Sequence, residues 1–210
     1  MKTKILILLS IIIASASEGD MNLTTPDGRV IILHEDGTWE YKPVTNLVPI
    51  EWNTNCKYTK NKIDDFSGEK MRVTKSIFLG KSDIKKKLYF YYSSISDENG
   101  NTIFLNFTGF GDLGCLTPTS SKVILKFEDD EMLELKYIGK TDCSNDPDLS
   151  TVIFSDDSAV QRLLISEDEL LKFQTMRVEM IRIHGSKYYS DMYIDYDKQH
   201  ELAKQFQCVN

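Results

Sequence analysis

Four cysteines, three histidines and a handful of aspartates are the residues of this 210-residue chain whose types could do chemistry. Cys56, Cys115, Cys143 and Cys208 are even in number, and no C-x-x-C or C-x-x-H spacing suits zinc. Four cysteines allow three disulfide connectivities, and spacing alone cannot choose among them. The expected pairs are Cys115 with Cys143, which flank a hairpin, and Cys56 with Cys208, which would tie the start of the main domain to its end. His34, His184 and His200 lie in no H-E-x-x-H motif, and no G-x-S-x-G elbow presents a serine nucleophile. His200 reads as a surface residue of a last helix. Gly109-Phe110-Gly111-Asp112-Leu113-Gly114 matches the dinucleotide pattern G-x-G-x-x-G. The residues after it, Cys115 to Ser121, are not helix-forming, so no helix N-terminus would meet a pyrophosphate, and a glycine-rich loop is expected. Asp142, Ser144, Asp146 and Asp148 alternate as calcium ligands do, but lack the glycine and glutamate of an EF-hand loop, so a polar turn is expected. No metal and no cofactor is expected.

The setting of these residues is fixed by the N-terminus. Met1-Lys2-Thr3-Lys4, the apolar run Ile5 to Ile13 and Ala14-Ser15-Ala16 have the form of a secretory signal peptide cut after Ala16. The run is shorter than the roughly 20 apolar residues of a membrane span, and no later run is long enough to insert stably. A secreted or periplasmic location follows, where disulfides persist. Net charge is −7, about −9 once Lys2 and Lys4 are removed, so phosphate backbones are repelled and nucleic acid is a poor partner. Lys85-Lys86-Lys87 precedes a strand and reads as an edge guard rather than a binding patch.

Residues 17–42 are expected to form a small β-meander, 43–55 a linker and 56–210 a β-rich main domain. In the meander, Asp27-Gly28 and Asp36-Gly37 are placed at the centres of tight turns, setting Leu23 opposite Ile32 and Ile32 opposite Tyr41, with Val30, His34 and Trp39 on the same face. The segments Asp27-Gly28-Arg29-Val30-Ile31-Ile32-Leu33 and Asp36-Gly37-Thr38-Trp39-Glu40-Tyr41 resemble a short element at the head of many exported bacterial proteins of unknown function. The resemblance covers about residues 21–42 and implies export and a β-meander, with no activity attached.

In the main domain Met71 to Leu79 is β-prone. Strands Leu88 to Ile95 and Ile103 to Phe110 carry apolar groups on both faces, as central strands do, and join through Asn99-Gly100. Lys122 to Phe127 and Met132 to Tyr137 alternate, which pairs Phe127 with Leu133 around the loop Asp129-Asp130-Glu131. Ser166-x-x-Glu169 is a capping box for a helix from Glu167 to Thr175. Strands Arg177 to Ile183 and Lys187 to Ile194 follow, and Asp195 or Asp197 would cap a last helix burying Leu202, Ala203, Phe206 and Val209. The sum is an α+β, β-rich fold: an antiparallel sandwich-like sheet or open barrel with two short helices near the C-terminus.

Two functions compete. The leading one is an exported, disulfide-stabilised binding or structural protein without catalytic activity, its partner a protein, a glycan or a second copy. Its candidate contacts are the aromatics Trp39, Tyr41, Tyr89, Tyr91, Tyr188 and Tyr189. The alternative is a hydrolase of envelope or extracellular polymers using a carboxylate pair drawn from Asp64, Asp65 and Asp112.

Overall fold

The computed structural model describes residues 21–24, 30–41, 50–82, 86–156 and 164–210. The signal segment, the Asp27-Gly28 turn, residues 42–49 and Lys85 lie outside the described residues. The chain divides into two compact units, 1–44 and 45–210.

The first unit is an antiparallel meander of β1 (Met21–Thr24), β2 (Val30–Leu33) and β3 (Trp39–Tyr41). Its register differs from expectation by one residue: Leu23 stands opposite Ile31, and Ile31 opposite Tyr41. The cause of the β2–β3 shift is visible in the second turn. His34 donates its N–H to the Thr38 carbonyl and accepts from the Gly37 N–H, which makes Glu35-Asp36-Gly37 a three-residue loop with Gly37 at φ 82°. The two observed registers put Met21, Leu23, Ile31, Leu33 and Trp39 on one face and turn Ile32 to the other.

The second unit is built on one ten-stranded antiparallel sheet. Its strands are β4 (Tyr58–Ile63), β5 (Lys70–Thr74), β6 (Ile77–Ser82), β7 (Lys87–Asp97), β8 (Gly100–Thr108), β9 (Lys122–Phe127), β10 (Met132–Lys136), β11 (Leu149–Ser155), β12 (Val178–His184) and β13 (Tyr189–Ile194). The expected single run Met71 to Leu79 is two strands, β5 and β6, which share one edge of the long β7: β6 pairs with Lys87 to Phe90 and β5 with Ser93 to Ser96. The other edge of β7 pairs with β8 throughout, and β8 with β11. From β6 the sheet continues through β13, β12 and β9 to β10. The far strands approach each other, since the Ile138 N–H donates to the Ser150 carbonyl at 3.1 Å. No ladder joins β10 to β11, so the sheet curls without closing into a barrel.

Alternation explains what the curl encloses. Leu88, Phe90 and Tyr92 on β7, Ile103, Leu105 and Phe107 on β8, Val123, Leu125 and Phe127 on β9, and Ile181 and Ile183 on β12 are fully buried on the inner face. The β9–β10 pairing sets Leu133 opposite Leu125 rather than Phe127. The loop is Glu128-Asp129-Asp130, with Asp130 at φ 65° and the Phe127 N–H donating to the Glu131 carbonyl. This slip of two positions keeps the parity, so the apolar sets still share one face. Asp97 pairs with Gly100, which makes Glu98-Asn99 the turn in place of Asn99-Gly100.

The helix α1 (Glu167–Thr175) has the full capping box, with the Ser166 hydroxyl accepting the Glu169 N–H and the Glu169 carboxylate accepting the Ser166 N–H. A 3₁₀ turn (Tyr196–Lys198) precedes α2 (Glu201–Phe206), whose N-cap is His200 with no side-chain capping bond, so neither Asp195 nor Asp197 caps it. Both helices face the inner side of the sheet. Phe173 and Phe206 meet edge-on at 6.0 Å, Phe206 meets Tyr92 at 5.9 Å, and the Tyr92 hydroxyl donates to the Leu202 carbonyl at 2.9 Å. Disulfides join Cys56 to Cys208 and Cys115 to Cys143. Part of the expected linker runs along α2: the Trp52 N–H donates to Gln207 Oε1, and Gln207 Nε2 donates to the Ile50 carbonyl.

Candidate aromatic surface on the outer sheet face

The residues of β13 alternate strictly: Ser190, Met192 and Ile194 point into the core, while Tyr189, Asp191 and Tyr193 point outward. Tyr189 is 58% and Tyr193 51% exposed, and Tyr188 at the hairpin tip is 66% exposed. Between the two outward tyrosines the neighbouring strand supplies a cation. Arg182 on β12 stands opposite Asp191 and binds it through two bonds, Nε to Oδ1 at 2.6 Å and a terminal nitrogen to Oδ2 at 2.7 Å. Its guanidinium lies 4.6 Å from the centre of the Tyr189 ring, within cation–π range. The His184 ring is 5.6 Å from the same tyrosine. The Asp191 carboxylate pushes the Arg182 pKa up, whereas burial first, then Lys122 and Arg182, pull His184 below the ordinary imidazole value. Tyr189 thus has the Arg182 guanidinium and the His184 ring both within contact range.

The outward row continues across the sheet. Tyr193 stands opposite Lys81 on β6, whose ammonium is 5.9 Å from the Phe78 ring, and Phe78 meets Tyr89 of β7 edge-on at 5.6 Å. Tyr89, Phe78, Lys81, Tyr193, Arg182 and Tyr189 therefore form one aromatic and cationic surface spanning four adjacent strands. Of the residues singled out from sequence, Tyr89 and Tyr189 belong here, and Tyr188 is exposed beside them at the hairpin tip, outside β13. Tyr91 shares the outer face of β7 but turns to Asp148; burial, then that carboxylate, raises its pKa. Trp39 and Tyr41 lie in the meander unit, Trp39 exposed and Tyr41 opposite Ile31. Phe78, Tyr193 and Arg182 were not singled out. Their signal was the i, i+2 outward parity of β13 and its pairing with β12 and β6, which needs the register.

The hairpin that carries Tyr188 and Tyr189 is braced by the glycine-rich loop. Lys187 and Tyr188 donate backbone N–H groups to the Leu113 carbonyl, and Ser186 donates to that of Cys115. A side chain on Gly185 would put its Cβ 2.3 Å from the Leu113 carbonyl oxygen, and one on Gly109 would lie 2.4 Å from that of Lys87. Close packing is what these glycines serve, and no helix begins where a dinucleotide would need one.

The aspartates proposed for hydrolysis stand in two different loops. Asp64, in the β4–β5 turn, accepts the N–H groups of Phe66 and Ser67, which hold its carboxyl below the usual range. Asp65 is its neighbour there. Asp112 accepts the Gly114 N–H within the glycine-rich loop. In the polar turn after Cys143, burial first, then Asp146 and Asp142, raise the Asp148 carboxyl. Among the described residues no group of three or more His, Cys, Asp or Glu side chains is placed to hold a metal, and no helix is long and apolar enough to cross a membrane. All four cysteines are in disulfides. No family model, curated protein or solved structure matches the chain.

Proposed function

We propose that this chain is an exported, disulfide-stabilised binding protein without catalytic activity, and that its ligand is a glycan held on the outer face of β6, β13 and β12. The observation that carries this reading is the pair of outward tyrosines, Tyr189 and Tyr193, each more than half exposed and flanking the Arg182–Asp191 fork. Tyrosine rings give sugar rings a flat apolar surface with a polar edge, and a fixed guanidinium–carboxylate pair offers donors and acceptors to hydroxyls at little entropic cost. Export to the periplasm or the cell exterior is supported by the N-terminal pattern and by two disulfides in a β-rich fold, which suit an oxidising compartment. A protein partner is the second reading, favoured by Tyr188, whose exposure at a braced hairpin tip suits a contact anchor.

Affinity electrophoresis through gels containing a soluble β-glucan, a solubilised peptidoglycan or a uronan tests the proposal. Retardation by one of them, lost in Tyr189→Ala and Tyr193→Ala, supports the glycan reading. Retardation by none of them contradicts it.

A further inference from the structure

The inner face of β7 changes character along its length. Leu88, Phe90 and Tyr92 are fully buried core, but the same face continues as Ser94 and Ser96. Opposite these serines, β5 places Arg72 against Ser94 and Lys70 against Ser96, and β8 places Asn101 against Ser96. Together with Val209 and Asn210 they line a cavity of about 220 Å³. Polar groups therefore converge from three strands where the pleat would otherwise continue the apolar core.

The charges make the cavity unusual. Arg72 and Lys70 are two residues apart on one strand face, so both project to the same side, and no carboxylate side chain lines the space. Neither cation makes an ion pair among the described residues, and Ser94, only 3% exposed, makes no side-chain hydrogen bond among them. In a chain of net charge −7, two half-buried cations on one strand face repel each other, which an added anion would relieve. A concave site whose charged side chains are all of one sign also focuses potential on an incoming anion. Drug-sized ligands occupy roughly 300–1,000 Å³, so this cavity suits a single smaller molecule rather than a polymer.

We propose that this pocket binds a small hydroxylated organic anion, its carboxylate or phosphate group held by Arg72 and Lys70 and its hydroxyls by Ser94, Ser96 and Asn101. The guanidinium fork matches either oxyanion, and hydroxyl and amide side chains can both donate to and accept from sugar-like hydroxyls. The site is on the inner face, so it is independent of the outer tyrosine surface.

Titration calorimetry of the full chain in low-salt buffer tests this, with glucuronate, glucose 6-phosphate and uncharged glucose as probes. Saturable binding of at least one anion, weakened by added salt and absent for glucose, is the expected result; whichever anion binds tighter identifies the oxyanion. Arg72→Gln and Lys70→Gln should each weaken binding about tenfold with an unchanged circular dichroism spectrum. Should Arg72→Gln misfold, Ser96→Ala gives the same test from the hydroxyl side. Tyr189→Ala should leave this binding intact, which separates its outcome from that of the glycan reading. Absence of saturable heat with both anions overturns the proposal, as does equal binding of glucose or an affinity that survives the pocket substitutions.

Discussion

The Thr74 hydroxyl accepts the backbone N–H of Tyr92 at 2.9 Å, at the point where β7 exchanges one edge partner for another. Strand β6 pairs with β7 up to Phe90, and β5 takes over from Ser93. A side chain thus completes the ladder where no strand can. Thr74 is 1% exposed, so water has little access to the site. Thr74→Val keeps the shape and deletes the acceptor. Its cost should be about 1–3 kcal/mol, the penalty of leaving a buried N–H without a partner, read as a lower denaturation midpoint with an unchanged m-value.

The two disulfides should contribute unequally. Cys56–Cys208 closes a separation of 152 residues and Cys115–Cys143 one of 28. On a loop-closure model the first stabilises by about 1.5 kcal/mol more than the second. Cys56→Ala/Cys208→Ala also frees the segment that runs along α2. Chemical denaturation of the two double variants should therefore rank the Cys56–Cys208 deletion as the more damaging, within a range of about 2–5 kcal/mol for either.

Stability should fall on mild acidification. Burial lowers the pKa of His200 below 6.5, with Glu128 opposing and Arg177 and Lys204 acting in the same direction as burial, and its Nδ1 is buried without a hydrogen-bond partner among the described residues. The unfolded chain takes up the proton at 6.5 while the folded one resists it, so stability is level above that pH and drops as pH falls toward the lower folded value. His184 acts in the same sense. The His200 ring centre is 5.0 Å from that of Trp52, so His200→Phe retains an aromatic contact and removes the proton site. Melting temperatures measured from about pH 8 to about pH 5 should decline for the parent and decline less for the variant.

Asp148 offers a gain in stability. Its carboxyl is raised by partial burial and by Asp146 and Asp142, so its ionised form is disfavoured in the fold at neutral pH. Asp148→Asn removes that charge and should raise the melting temperature slightly at neutral pH, by a few tenths of a kcal/mol at this exposed site. The gain should shrink as pH falls toward the ordinary value of 3.8, where the unfolded parent also becomes protonated.

In the second unit parity was legible in the sequence and register was not, whereas in the meander a one-residue shift reversed the parity of Ile32 as well. The alternation of Val123, Leu125 and Phe127 with Leu133 and Leu135 identified the buried face, and the Ser166–Glu169 box located α1, because both signals are local. The turns slipped by one residue at Asp36-Gly37, Asn99-Gly100 and Asp129-Asp130-Glu131, since a residue with positive φ can close a three-residue loop or sit beside a two-residue one. His200 was read as a surface residue because Trp52, 148 positions earlier, covers it only in three dimensions. The outer surface was partly visible: Tyr89 and Tyr189 stood out as aromatics, whereas Arg182, Phe78 and Tyr193 join them only through the β12–β13–β6 pairing. The inner pocket had a sequence signal in the passage from Leu88, Phe90 and Tyr92 to Ser94 and Ser96 on one face.

Arg182 should matter to binding through the posture of Tyr189. Arg182→Gln removes both the fork to Asp191 and the cation beside the ring, and should weaken glycan retention less than removing the tyrosine does. The measurement that bears most directly on the account is affinity electrophoresis of the parent chain against the Tyr189→Ala/Tyr193→Ala double variant. Retardation of the parent by a soluble polysaccharide, abolished in a double variant whose melting temperature is unchanged, is the predicted result. Equal retardation of the two proteins, or none of the parent across β-glucan, peptidoglycan and uronan gels, would contradict it.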